Sequence, residues 1–172
     1  MSNYKVRILT DFLLVSVFFL IIFLLADFFK VFELLPRSIH QWRQCDGYSM
    51  AINYFQDGSP LLEPKVHFLG NSDGKAVGEF PILYFIDAQL WKLAGNPSIV
   101  IARLFHFSFF FLAIFLVFRG LSDYLKNRFI ASIGVLLLMI SPVILFYSNT
   151  TTPSVPAFSF VLISWYTLYR YF

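Results

Sequence analysis

Long apolar runs alternate with short polar segments along the chain, and this pattern predicts helices that cross a membrane. A helix needs roughly 20 residues to span the ~30 Å hydrocarbon core of a bilayer. Four runs approach this length, and Leu, Ile, Val and Phe fill their centres. We therefore predict an all-α membrane protein with about four transmembrane helices, at about residues 12–35, 98–118, 129–147 and 156–172.

The positions of the basic residues predict the orientation of these helices. Lys and Arg next to transmembrane helices favour the cytoplasmic side. They occur before the first run and between the second and third, as Lys5, Arg7, Arg119, Lys126 and Arg128. This places the N-terminus in the cytoplasm and the long segment of about 36–97 outside. The first run resembles a secretory signal, but no small-x-small cleavage site follows it, which favours a retained anchor.

The first part of the outer segment has a helical pattern from Trp42 to Asp57. The breaker cluster Asp57-Gly58-Ser59-Pro60 ends it. One side of this helix is predicted to be polar, with Arg43, Asp46, Ser49 and Asn53. The other is predicted to be an apolar stripe of Cys45, Tyr48, Ile52 and Phe55.

A second helix is predicted in the stretch "PILYFIDAQLWKLAG", which begins at Pro81 and ends at Gly95. About 14 residues give roughly 21 Å, too short to cross a bilayer. Tyr84 and Trp91 are typical of the membrane interface, so we predict a helix on the membrane surface. The alternative is a hairpin with the second apolar run, which would place the basic loop outside, against the charge rule.

The overall composition agrees with a membrane protein. Hydrophobic residues make up 58% of the 172 residues, charged residues only 13%, and the mean hydropathy is +0.71. The net charge of +3 comes from scattered residues, so nucleic acid is not an expected partner. Cys45 is the single cysteine and has no partner for an intrachain disulfide.

Asp46 is the main candidate for chemistry, since it is an acid on an amphipathic helix beside the membrane. Such a carboxylate is able to take a proton from an acceptor hydroxyl or amine while a sugar leaves its phosphate. The spacing alone favours a simpler role, a surface ion pair with Arg43 one turn away, which typically contributes under about 1 kcal/mol.

Several basic groups are candidates for binding phosphate. Arg103 lies in the second apolar run, where an ionisable group suggests function and where an arginine fork suits a lipid phosphate. Snorkelling towards headgroups is an equal alternative. Glu79 either binds a sugar hydroxyl or caps the next helix. The full set of substrate- or phosphate-binding candidates is Arg43, Arg103, His40, Glu79 and Lys65.

No cofactor is predicted with certainty, and the sequence leaves a divalent metal open. Asp46, Glu79 and His67 would be able to gather around an ion. Their spacing is not diagnostic of a metal site. We therefore assign no metal ligands.

Three stretches in this order resemble the N-terminal part of GT-C membrane glycosyltransferases, in particular glycosyltransferase family 39 and its bacterial relatives of the dolichyl-phosphate-mannose protein mannosyltransferase type. They are "WRQCDGYSMAINYFQDG", "GEFPILYFIDAQLWKLAG" and "ISPVILFYSNTTTPSVPAFSF". The resemblance covers about residues 12–172. It implies a partial GT-C fold in residues 1–172, an N-terminal transmembrane module of a bacterial inner-membrane protein.

The resemblance also implies an activity. A sugar would pass from a polyprenyl-phosphate carrier to a lipid, glycan or protein acceptor on the outer face, with Asp46 as catalytic base. Two positions depart from the family pattern. Arg43-Gln44 stands near the usual Asp-Glu pair, and Ser154 stands where an acid often follows the proline of the second outer turn.

These departures keep two alternatives open. One is a non-catalytic membrane protein of the same fold that binds polyprenyl phosphate or assists assembly. The other is a plain four-helix membrane protein without a site. The resemblance, and not the spacing of the candidate residues, favours the enzyme.

Overall fold

The computed structural model describes residues 2–70, 73–75 and 78–172, and this part of the chain is all-helical. Among these residues there are eight helices and no strand, and one isolated antiparallel bridge joins Lys65 to Lys75. The helices are α1 (Ser2–Leu25), α2 (Phe28–Val31), α3 (Gln41–Asp57), α4 (Ile82–Ala94), α5 (Ile99–Leu125), α6 (Arg128–Met139), α7 (Pro142–Ser148) and α8 (Ser154–Tyr171).

In the described part of the chain, two or three segments are long and apolar enough to cross a membrane. Tyr4–Leu25 and Ile99–Leu125 are each long and apolar enough to span. Helices α6 and α7 form a third span if they are counted together, although they meet at an angle of 66°. The all-α class is confirmed for the described residues, and these candidate spans support the prediction of a membrane protein. The fourth predicted crossing forms α8, which is outside this set because polar groups, including Arg170, lower the hydropathy of its last turns.

The helices of the first two predicted crossings end at other residues than expected. Helix α1 ends at Leu25 and not near residue 35, because Asp27 adopts a left-handed backbone with φ of 52°. Helix α5 continues to Leu125 instead of ending at residue 118. No proline interrupts it after Phe118, and the chain turns only at Lys126, where φ is 51°.

The described chain forms two compact units, and unit 1 contains Met1–Val31, Phe107–Asn149 and Ser154–Phe172. Its core is apolar and rich in phenylalanine. The Phe19 ring lies 5.3 Å from that of Phe107 and 5.6 Å from that of Phe110, both edge to face. Val15 and Ile114 are fully buried in the same cluster. The buried residues of this cluster come from α1, α5 and α6, together with Val155 of α8.

Unit 2 contains Phe32–His106 and Thr150–Pro153, and its centre is the packing of α3 against α4. Tyr54 and Ala88 are buried between these helices. The Trp91 ring meets that of Tyr48 at 5.4 Å, and its indole nitrogen donates to the Ser98 carbonyl at 2.7 Å. The predicted interfacial role of Tyr84 and Trp91 is not what the structure shows, since both rings are buried inside unit 2.

The buried face of α3 also differs from the predicted stripe. Cys45 is exposed, and Ser49, which was expected on the polar side, is buried. Hydrophobicity alone did not find this face, because it includes a glutamine and a glycine. The most buried positions follow one another at helical spacing, at Gln44, Gly47, Ala51 and Tyr54.

Candidate functional site

The start of α3 is fixed by its own side chains and by Thr150–Pro153, the second segment of unit 2. His40 stands at the N-cap with φ of 56°. Gln44 is buried, and its amide nitrogen donates to the Ile39 carbonyl at 3.1 Å and to the Arg37 carbonyl at 3.3 Å. The Thr151 hydroxyl donates to the Gln44 carbonyl at 3.3 Å. These bonds hold the first turns of α3 in one position.

Asp46 lies half-buried on this fixed part of α3. Its backbone carbonyl accepts a hydrogen bond from the Ser49 hydroxyl at 2.8 Å. Its carboxylate makes no hydrogen bond or ion pair within the described part of the chain. The alternative of an ion pair with Arg43 is therefore wrong, because Arg43 pairs with a different acid.

That acid is Glu79, which is held through both of its oxygens. Arg43 Nη2 donates to Oε2 at 2.6 Å, and the Tyr84 hydroxyl donates to Oε1 at 2.7 Å. Burial of Tyr84, assisted by the bond and the charge of Glu79, raises the pKa of this phenol, so that it stays a donor. Both Glu79 oxygens are occupied by these two donors, and Glu79 makes no hydrogen bond to a backbone N–H of α4 in the described part of the chain, so the capping role was wrong.

Gly47 allows this network to form against α3. A Cβ atom at this position would lie 2.5 Å from Cε1 and 2.8 Å from the hydroxyl oxygen of Tyr84, closer than real contacts allow. Only a residue without a side chain lets the Tyr84 ring approach the helix backbone so closely. The position after Asp46 therefore sets the distance between α3 and α4.

Arg103 lies at the start of α5 and points into unit 2. Its side chain is only 3% exposed, and Nη1 donates to the Phe32 carbonyl at 2.8 Å. It also lies close to Tyr48 of α3. Burial raises the pKa of the Tyr48 hydroxyl, and the positive charge of Arg103 partly opposes this shift. The guanidinium is thus part of the interior beside α3, in contrast to the snorkelling alternative.

The remaining candidates, Lys65, His67 and His40, are all close to α3. The Lys65 carbonyl accepts from the Asn53 amide at 2.8 Å, and the His67 backbone amide donates to the Ser49 hydroxyl at 3.3 Å. The backbone of residues 65–67 is thereby hydrogen-bonded to side chains of α3. His40 is exposed at the N-cap of the helix. The structure therefore brings Arg43 and Glu79 into contact and places Lys65 beside the same helix.

Sequence reasoning missed the pair formed by Asp87 and His106. Asp87 Oδ2 lies 3.1 Å from His106 Nε2, and both side chains are buried. Among the described residues, Asp87 Oδ1 and His106 Nδ1 have no hydrogen-bond partner. Asp87 stands four residues before Trp91 on the buried face of α4. This helical spacing was the signal in the sequence that Asp87 is buried and needs a partner.

No group of three or more His, Cys, Asp or Glu side chains is arranged to hold a metal ion in the described ranges. Asp46, Glu79 and His67, which the sequence allowed as a metal group, do not form one there. Glu79 binds Arg43 and Tyr84 instead.

Comparison with known proteins found no relative of this chain. No family model matches the sequence, and neither a curated protein nor a solved structure matches the chain. The functional argument therefore depends on the arrangement of unit 2 itself.

Proposed function

We propose that this chain is a membrane glycosyltransferase, or the N-terminal module of one, that takes a sugar from a polyprenyl-phosphate carrier. Asp46 is the catalytic base in this proposal. The acceptor is a lipid, a glycan or a protein, and the reaction takes place on the outer face of the membrane. The observation that carries the proposal is the unengaged carboxylate of Asp46 on the fixed start of α3.

The neighbouring acids are less suited to the role of base. Glu79 already accepts hydrogen bonds at both oxygens, from Arg43 and Tyr84. Asp87 is buried against His106. A general base needs an oxygen that reaches the proton of the acceptor. Of these three acids, Asp46 alone combines partial exposure with a carboxylate that has no partner among the described residues.

Cationic groups beside α3 would serve the phosphate of the carrier. Arg103 is buried next to Tyr48, and Arg43 lies one turn before Asp46. Arginine binds phosphate well because its planar fork donates to two oxygens at once. His40 and Lys65 add further basic groups near this helix. The charges of the two arginines and of Lys65 would favour a carrier phosphate over a neutral lipid.

The proposed step is a displacement at the first carbon of the sugar. Asp46 accepts the proton of the acceptor hydroxyl or amine, and the acceptor oxygen or nitrogen forms the new bond to the sugar. The bond between the sugar and the phosphate oxygen breaks, and its electron pair leaves with the polyprenyl phosphate. The arginines stabilise the charge that develops on this phosphate.

The test is sugar transfer in membranes that contain the protein in its natural length. Radiolabelled polyprenyl-phosphate mannose and polyprenyl-phosphate aminoarabinose are the probes. We expect Asp46→Asn to lower transfer by at least about 100-fold, because a positioned base contributes this much or more. Asp57→Asn, at the exposed end of the same helix, is the matched control and should keep the activity. Full transfer by Asp46→Asn would contradict the proposal.

A second candidate function is binding of polyprenyl phosphate without turnover. Ser154 favours it, because this exposed residue stands where the family that the sequence resembles often has a carboxylate. A serine cannot supply that charge. Saturable binding of polyprenyl phosphate by the wild-type protein, with no transfer from either probe, would support this second function over the first.

A further inference from the structure

A polar cavity of about 330 Å³ lies at one end of unit 1. It is formed where the first turns of α1 meet the last turns of α5 and the start of α6. Three of its lining side chains are basic, one is acidic and one carries a hydroxyl. They are Arg7, Ser122, Asp123, Lys126 and Arg128.

The carboxylates near this cavity are already neutralised. Asp123 accepts from Arg7 at 2.6 Å and from Arg170 at 3.5 Å. Arg128 pairs with Asp11, whose side chain is buried. Lys126 forms no ion pair in the described part of the chain, so its charge adds to the cavity without compensation. The lining is therefore positive as a whole.

The hydroxyl of Ser122 gives a second, independent indication of a ligand. It is buried and has no hydrogen-bond partner among the described residues. Helical serines usually satisfy this group by bonding to the carbonyl four residues earlier. Ser132 and Ser159 do so here, at 2.9 Å and 2.7 Å. Ser122 does not, and it lines the cavity instead.

We infer that this cavity binds a phosphate group, and that the headgroup of an anionic phospholipid supplies it. A phosphate offers several acceptor oxygens, which match a lysine, two arginines and a hydroxyl better than a single-point anion does. Helices α1 and α5 are each long and apolar enough to cross a bilayer, and the ends of such helices lie at the level of headgroups. This site is independent of the proposed sugar transfer.

The experiment is native mass spectrometry of the whole chain in detergent. Phosphatidylglycerol, phosphatidylcholine and inorganic phosphate are titrated separately. We expect phosphatidylglycerol to bind more tightly than phosphatidylcholine. Lys126→Gln should weaken phosphatidylglycerol binding about fivefold, since one basic residue near a membrane surface contributes about this much. Ser122→Ala should weaken it several-fold through the lost hydrogen bond.

Two controls separate loss of the site from loss of the fold. Lys92→Gln removes the charge of another exposed lysine, which lies on α4, and should leave phosphatidylglycerol binding unchanged. Lys126→Asn removes the same ammonium with a residue that tolerates the left-handed backbone at this position. Size-exclusion profiles and far-ultraviolet circular dichroism check that each variant is folded.

The outcomes divide clearly. Equal binding of phosphatidylglycerol and phosphatidylcholine, without binding of inorganic phosphate, would overturn the inference. Equal effects of Lys126→Gln and Lys92→Gln would overturn it as well. Binding of inorganic phosphate that both site variants lose, without any lipid preference, would support the phosphate site and assign it to a soluble phosphate.

Discussion

His106 Nε2 lies 3.1 Å from Asp87 Oδ2, and the two side chains are only 1% and 2% exposed. This contact joins α4 to the start of α5 within unit 2. A buried acid and a buried imidazole each carry a large desolvation cost, and each becomes acceptable because the other is present. The pair therefore links the two helices chemically as well as by packing.

Removing either partner should destabilise the protein strongly. We expect Asp87→Ala and His106→Ala each to lower the free energy of unfolding by about 3 kcal/mol, since the remaining polar group is left buried without its partner. The double variant should cost clearly less than the sum of the two single changes. Unfolding in detergent, followed by far-ultraviolet circular dichroism, measures all four proteins.

Asp57→Ala is the control for this cycle, because it removes an exposed acid from α3. It should change stability by less than about 0.5 kcal/mol. Strictly additive effects of Asp87→Ala and His106→Ala would show that the two side chains do not depend on each other.

Gly47 is a position where a single methyl group should harm the packing of unit 2. In Gly47→Ala the new Cβ would meet the Tyr84 ring at 2.5 Å, which forces the ring or the helix to move. We expect a loss of about 1–3 kcal/mol in the free energy of unfolding, as for other overpacked interiors. The matched control is Gly78→Ala, whose Cβ would meet no atom within 4 Å.

The same clash predicts a compensating change. Tyr84→Leu removes the ring atoms that the new methyl group would meet, so Gly47→Ala should be less harmful in that background. Thermal unfolding of the single and double variants tests this. If Gly47→Ala costs as much with leucine at position 84 as with tyrosine, the contact with Tyr84 is not the cause.

Tyr84 should make the stability of the protein fall in alkaline solution. Burial, assisted by Glu79, raises the pKa of Tyr84 in the folded state above its ordinary value of 10.0. The folded state then holds a proton that the unfolded state releases. The contribution of Tyr84 is complete below about pH 10 and is lost as the pH rises through the folded-state pKa.

Tyr84→Phe should remove this part of the alkaline decline. It should also cost about 1 kcal/mol at neutral pH, because the hydrogen bond to Glu79 is lost. Denaturant unfolding between about pH 8 and pH 11 gives, for each protein, the change in the free energy of unfolding with pH. Tyr124→Phe, at an exposed position, is the matched substitution. An unchanged alkaline slope in Tyr84→Phe would contradict the assignment.

The helical elements were largely predictable because they depend on local signals. The end of α3 was found from Asp57-Gly58, and Gly58 indeed takes a left-handed backbone with φ of 65°. Gly95 ends α4 in the same way, with φ of 84°. Hydropathy found the apolar runs of α1 and α5. The break after Leu25 was missed because Asp27 is followed by Phe28 and Phe29, which continue the apolar pattern.

The side-chain partners of the site were less predictable. Arg43 was paired with Asp46 because the two are three residues apart, but its partner is Glu79, 36 residues away. His106 and Asp87 are 19 residues apart on different helices. Contacts of this kind depend on how α3, α4 and the start of α5 pack, and helical periodicity within one segment does not contain that information.

The bend between α6 and α7 has a consequence for the surrounding lipid. Twelve residues of α6 give a rise of roughly 18 Å, and seven residues of α7 add roughly 10 Å more along their own axis. With a 66° bend, less than half of that second length continues in the direction of α6. The pair then reaches roughly 22 Å, short of a hydrocarbon layer of about 30 Å. Such hydrophobic mismatch would draw the two leaflets together beside Pro142, and a locally thin bilayer lowers the barrier that a polar headgroup meets when it moves inward.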